Sequence, residues 1–248
     1  MLRAAARTIG IAVLAALGPL PALAQEAPLF TKDFPAEEFA ARRAKLMDAI
    51  GKDAPALVQG APSPAGYTRF RQSNELYYLS GIESPHAYLL IDGGQRRATL
   101  YLPHRNEARE RSEGKLLSAE DADEIKECAG VDAVSGSDLL SEQLARSARS
   151  GTRALFTPFA PPEGFATSRD LALREVADVG SDPFDGRLPR SGQLRRLVQE
   201  RFPQLELKDL TPALDALRLI KSPREIALIR KATRLAADRD LRVAQLLE

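Results

Sequence analysis

Apolar residues recur at helical spacing over residues 36–51, where Phe39, Leu46 and Ile50 share a stripe with Arg42 and Arg43 and Gly51 offers a C-terminal stop. Four short apolar runs follow. The first, 56–60, is ended by Gly60, Pro62 and Pro64, and the second, 76–80, is closed by Gly81. The third, 87–91, meets Asp92-Gly93-Gly94, and in the fourth, 97–102, Ala98, Leu100 and Leu102 alternate with Thr99 and Tyr101. These runs predict four strands in succession, the last two joined as a hairpin through the Asp92-Gly93-Gly94 turn.

Beyond this point helices and strands alternate. Residues 106–114 are highly charged and read as a surface segment. Ser118 is an N-cap candidate with Asp121 at capping-box distance, and Gly130 ends the helix it starts. A strand over 131–134, a helix capped by Ser137 or Asp138 and running to about Arg149, and a strand over 154–157 come next. After a loop over 158–164, the spacing predicts a helix over 167–176, a long loop over 180–190, a helix over 193–202 and a last strand over 205–210. The order implies one α/β domain with a mixed sheet and flanking helices. Residues 211–221 read as a linker. At Ser222-Pro223-Arg224-Glu225 an N-cap, a proline at the first helical position and a glutamate at the third agree, and a helix begins that shows no stop signal before Glu248.

Composition narrows the function classes. The chain has 248 residues, 28% charged and nearly balanced in sign, for a formal net charge of +1, so no basic excess points to nucleic acid. The first 24 residues stand apart: Arg3 and Arg7, an apolar run from Ile9 to Leu17, Pro19 and Pro21, then Ala22-Leu23-Ala24 before Gln25. That layout predicts a cleavable export signal, too short and too proline-broken for a membrane-spanning helix. Its removal leaves 33 basic against 34 acidic residues. An exported, periplasmic or secreted protein with no membrane contact after cleavage is expected. Cys128 is the only cysteine, so no internal disulfide can form, and its place beside a helical stripe reads as a small buried residue rather than a catalytic thiol.

Two segments resemble a known family. Arg69-Phe70-Arg71-Gln72, followed by Tyr77-Tyr78-Leu79-Ser80-Gly81 and Pro85, is similar to a motif of aminopeptidase P N-terminal domains. Residues 215–226, Asp215-Ala216-Leu217-Arg218-Leu219-Ile220-Lys221-Ser222-Pro223-Arg224-Glu225-Ile226, resemble the junction at which such chains enter their catalytic domain; this second motif is shared with prolidase-like and creatinase-like relatives. Leu100-Tyr101-Leu102-Pro103 with Arg105, and Gly130-Val131-Asp132, are weaker landmarks. The resemblance implies an α/β N-terminal domain of ribonuclease H-like topology over 25–210, a linker over 211–221, and at 222–248 the first helix of a "pita-bread" catalytic domain. That domain would hold two divalent metals, usually manganese, and release an N-terminal residue that precedes proline. It also implies homo-oligomers and peptide substrates with proline in second place.

The family's metal ligands, two Asp, one His and two Glu, have no counterparts here: His86 and His104 are the only histidines and both precede the junction. No catalytic or metal residue is therefore assigned, and the chain alone is expected to be inactive. Tyr77 is the candidate for the rim of a neighbouring subunit's active site, against the plainer reading that Tyr77 and Tyr78 alternate across a strand. Arg69, Arg71, Gln72, Gly81 and Pro85 read as structural. Glu120, Asp121, Asp123 and Glu124 crowd a helix start, where the macrodipole favours carboxylates. Two alternatives stand beside the peptidase reading: a prolidase- or creatinase-like hydrolase, and a homologue without peptidase activity that binds protein partners.

Overall fold

The alternation of side chains along three central strands decides how the sheet is covered. In the computed structural model, which describes residues 33–247 apart from 67, 165 and 166 and side chains as far as residue 238, Ala56 and Val58, Leu89 and Ile91, and Ala98, Leu100 and Leu102 are buried on one face. Leu57, Leu90 and Tyr101 are buried on the other. Segment 1–24, read as an export signal, lies outside the described residues. With both faces apolar, the sheet needs helices on both sides, and the result is a three-layer α/β/α arrangement.

The elements run α1 (Ala36–Ile50), β1 (Ala56–Gln59), α2 (Asn74–Ser80), β2 (Tyr88–Asp92), β3 (Arg97–Leu102), α3 (Glu107–Glu113), α4 (Ala122–Ala129) and β4 (Ala133–Gly136). They continue as α5 (Leu140–Arg149), β5 (Ala154–Thr157), α6 (Arg169–Ser181), α7 (Arg190–Arg201), β6 (Glu206–Asp209), α8 (Thr211–Leu219) and α9 (Pro223–Leu247). Six strands form one mixed sheet in the order β4-β3-β2-β1-β5-β6. β2 pairs antiparallel with both β1 and β3, and the remaining pairs are parallel. Asp92 pairs with Arg97 at the end of the hairpin predicted there.

Leu46 of α1, Leu76 and Leu79 of α2, Ile125 of α4 and Leu214 of α8 join the larger cluster. Leu144 of α5 and Val198 of α7 join the smaller one. Several of these side chains are fully buried, each worth about 1.5–3 kcal/mol of transfer free energy.

One expectation is corrected and two gain detail. Residues 76–80 are not a strand: they belong to α2, because Leu76 and Leu79 are both buried at a spacing of three and Ser80 Oγ donates back to Leu76 O at 2.8 Å. Gly81 does end the element, as a left-handed helix cap whose N–H donates to Tyr77 O. Residues 106–114 are surface, as read, but hold α3, started by Asn106 Oδ1 accepting from Arg109 N at 3.0 Å and braced by the Arg109–Glu113 pair. Residues 211–221 contain α8, with Leu214 in the core.

Candidate functional site

The two motifs are about 140 residues apart in sequence and in contact in space. Gln72 anchors the first. Its side chain is 4% exposed, Oε1 accepts from Ala61 N (2.6 Å) and Ser73 N (2.9 Å), and Nε2 donates to Ser84 O (2.8 Å). One amide thus satisfies three backbone groups from three segments, and Gly60 must lack a side chain because a Cβ there would meet Gln72 Oε1 at 2.8 Å. Ser84 Oγ extends the clamp to Leu117 O at 2.8 Å. Arg71 is exposed and pairs with Glu83 at 3.3 Å, Arg69 is exposed, and Pro85 is buried.

α2 then presents its two tyrosines about 100° apart on a helix rather than on opposite faces of a strand. Tyr78 Oη donates to Leu217 O of α8 at 3.1 Å. The Arg42 guanidinium lies 4.3 Å from the Tyr78 ring centre, with Phe34 and Phe39 at 4.9 and 5.5 Å, and Nη1 donates to Tyr78 O. Tyr77 is half-buried; burial first, then the Glu83 charge, pushes its phenol above the ordinary value.

Charge completes the junction. Arg42 Nη2 lies 3.4 Å from Glu38 and 3.5 Å from Glu225. Glu225 is also half of the capping box read from the sequence: Ser222 N donates to Glu225 Oε2 (2.7 Å) and Glu225 N to Ser222 Oγ (3.2 Å). One carboxylate therefore both starts α9 and ties it to α1. Deeper in the fold, Arg218 of α8 reaches Glu75 of α2 (3.4 Å) and Glu163 (2.9 Å), and Arg169 of α6 reaches Glu163 (3.1 Å) and Asp215. Burial pushes the Glu75 carboxyl up despite Arg218. In Glu163, the Arg218 hydrogen bond and the Arg218 and Arg169 charges outweigh burial, the largest single influence, and hold the carboxyl down.

Arg42 and Arg43 stand on the apolar stripe of α1, and that position was the visible sign of their role. Arg43, 2% exposed, donates to Leu79 O (2.7 Å), Ala129 O (2.9 Å) and Gly130 O, so it closes the carboxyl ends of α2 and α4 together. Burial lowers it to about 10, which leaves it charged at neutral pH to oppose two helix dipoles. Glu163 and Arg169 carried no signal, since neither belongs to a motif.

The histidines go to separate partners. His86 Nε2 lies 3.3 Å from Ser63 N. His104 sits between Glu120 (2.7 Å) and Asp138 (3.1 Å). The two carboxylates occupy opposite ring nitrogens, so they do not converge on a common ion. Among the described residues, no group of three or more His, Cys, Asp or Glu side chains is placed to hold a metal, so these residues do not fit the two-metal centre implied by the resemblance. Cys128 Sγ donates to Glu124 O, and burial raises the thiol above its ordinary value. No helix among the described residues is long and apolar enough to cross a membrane.

With the geometry in place, likenesses to known proteins can be set beside it. Residues 39–156, from α1 to β5, match the sequence model of the family described as "Aminopeptidase P, N-terminal domain". A Pyrenophora tritici-repentis protein named "Probable Xaa-Pro aminopeptidase pepP" is 28% identical over 170 residues, which is 67% of this chain and 29% of that protein. Proline aminopeptidase P II from Yersinia pestis superposes with a TM-score of 0.57 at 21% identity, covering 84% of this chain and 44% of that one. Aminopeptidase P from Escherichia coli, solved with the inhibitor Pro-Leu, gives 0.54 at 22% identity over 79% of this chain and 42% of that one. At these identities the structural likeness establishes the fold. The chain spans less than a third of the curated relative's length and less than half of either solved chain.

Proposed function

We propose that this chain carries an aminopeptidase P N-terminal domain and is the N-terminal part of an exported Xaa-Pro aminopeptidase, in which a following domain supplies the metal-dependent chemistry. The observation that carries the reading is the family match over residues 39–156. In this reading residues 1–24 are the cleaved export signal, 25–210 the N-terminal domain, 211–221 the connection and 222–248 the start of the catalytic domain. Two bound manganese ions, when present in that domain, would generate a hydroxide and polarise the scissile carbonyl. The residues of this chain position that domain. Arg42 and Glu225 set the start of α9, and the half-buried Tyr77 is the residue that would meet the active-site rim of a second subunit in a homo-oligomer.

The experiment is hydrolysis of a peptide with proline in second place, with added manganese. Residues 25–248 should release no N-terminal residue, and a form extended through the following domain should release it. Turnover by residues 25–248 alone would sink the division of labour. In the extended form, Tyr77→Ala should raise KM or change the oligomeric state while the unfolding midpoint holds. If neither moves, Tyr77 is a packing residue of α2.

A further inference from the structure

β1 and β5 are parallel neighbours, yet their connections leave toward opposite faces of the sheet. The chain after β1 reaches α2, packed in the larger cluster, while the chain after β5 leads through α6 to α7, packed in the smaller one. Diverging connections at adjacent carboxyl ends open a crevice, which is where open α/β sheets receive ligands. In this fold the crevice is a cavity of about 900 Å³ bounded by the ends of both strands, the 158–164 loop, α6 and α7. Its apolar wall includes Tyr88, Pro161, Val176, Leu194 and Leu197.

Within that wall are polar atoms with no hydrogen-bond partner among the described residues: Thr157 Oγ1, Ser191 Oγ, and Nε and Nη2 of Arg190. Thr157 is 3% exposed and Ser191 9%, so solvent does not satisfy them. A buried polar group left unmet destabilises the fold, and native structures rarely leave one so. Glu75 Oε2 shares the defect in the same cavity, but Thr157, Arg190 and Ser191 are the three that offer donors, and together they point to a missing acceptor. Arg190 and Ser191 form the first turn of α7, a 12-residue helix whose N-cap is Pro189 and which has no side-chain cap, so the positive end of the helix adds to the guanidinium.

Most other charges around the cavity are matched: Arg71 by Glu83, Arg187 by Asp185, and Glu75 and Glu163 by Arg218. Glu175 also lines the cavity, on its exposed side, without an ion-pair partner among the described residues. Arg190 has no carboxylate partner among the described residues. The His86 imidazole nearby is pushed below its ordinary value by burial and then by the Arg190 and Arg109 charges, consistent with positive potential at this end.

We propose that this crevice binds a small organic anion, with a carboxylate or phosphate seated on Arg190, Ser191 and the first turn of α7, and an apolar body against Val176, Leu194 and Leu197. The proposal does not rest on the peptidase reading: Arg190, Ser191, Val176, Leu194 and Leu197 lie outside the junction, although Glu75 and Glu163 line the same cavity.

The full chain, isotopically labelled, should be titrated with benzoate, phenyl phosphate, inorganic phosphate and the uncharged control benzyl alcohol while its amide resonances are followed by NMR. Benzoate or phenyl phosphate should shift the amides of Thr157, Arg190, Ser191 and Gly192 saturably, and the stronger of the two assigns the anionic group. Benzyl alcohol should bind about tenfold more weakly or worse, as loss of a charge-assisted contact requires. Arg190→Gln should weaken the anion by about tenfold or more, and the milder Ser191→Ala by about threefold, with the remaining spectrum unchanged. Equal affinity for benzyl alcohol would overturn the proposal, as would no saturable shift with either aromatic anion. The same holds if phenyl phosphate binds no better than inorganic phosphate, or if neither substitution weakens the site.

Discussion

Gly81 and Gly66 both have left-handed backbones, at φ 69° and 78°, but their surroundings are opposite. A Cβ at Gly81 would lie 2.4 Å from the ring of Phe39, which is fully buried and cannot move aside; at Gly66 nothing comes within 4 Å. The backbone cost of alanine is common to both positions, about 1–2 kcal/mol, while the overpacking cost of about 1–3 kcal/mol falls on Gly81 alone. Gly81→Ala should therefore destabilise the fold by about 3 kcal/mol and Gly66→Ala by about 1 kcal/mol, read as denaturant midpoints at constant slope. Equal losses would mean that Phe39 does not enforce the glycine. Gln72 illustrates the same scale from the polar side. Its residue type was visible in the motif, but its purpose was not, because its most distant acceptor, Ser84 O, comes from another segment.

At the scale of elements, the legible features were those satisfied locally. The Ser118–Asp121 and Ser222–Glu225 capping boxes, the left-handed Gly130 and the Asp92–Arg97 hairpin all close within a few residues, and all form as read. Residues 76–80 did not close locally. Leu-Tyr-Tyr-Leu is too short to separate a strand from a helix, and the decision came from the Leu79 carbonyl meeting Arg43, 36 residues away. His104 belongs to this scale as well, since it links the end of β3 to the 3-10 turns Ala119–Asp121 and Ser137–Leu139. Hydrogen bonds to Glu120 and then Asp138 raise the imidazole above its ordinary 6.5, and His104 lowers Glu120 to about 2. The histidine's contribution to stability is complete below 6.5 and fades as pH rises through its raised value. The glutamate's is complete above its ordinary 4.5 and fades as pH falls through about 2. Thermal stability should hence carry a plateau between about pH 4.5 and 6.5, and His104→Gln should flatten both shoulders. A pH profile unchanged by the substitution would show that the exposed cluster contributes nothing.

At the scale of the whole molecule, charge ties α9 to the first helix of the α/β body. Glu38 and Arg42 of α1 face Arg224 and Glu225 of α9 in alternating sign, and the Arg42 and Glu225 side chains are 8% and 17% exposed. An ion pair this sheltered is screened less than a surface one, and removing either partner leaves the other poorly solvated. Glu225 has a second task in the capping box, so a simple deletion would mix two effects. Glutamine serves in a capping box nearly as well as glutamate, and Glu225→Gln therefore removes the charge while keeping the cap. Arg42→Met likewise removes the guanidinium while keeping much of the packing against Phe34, Phe39 and Tyr78. The two substitutions together should cost less than the sum of each alone, by about 1 kcal/mol, and each alone should speed hydrogen exchange at the Glu225 and Ile226 amides relative to those of β1 and β3. Ser222→Ala should speed the same amides yet add independently to Arg42→Met, because the hydroxyl acts on the helix end and not on α1. Strict additivity between Arg42→Met and Glu225→Gln would mean that α9 is held by its hydrophobic contacts and its cap, and that charge does not fix its angle against α1.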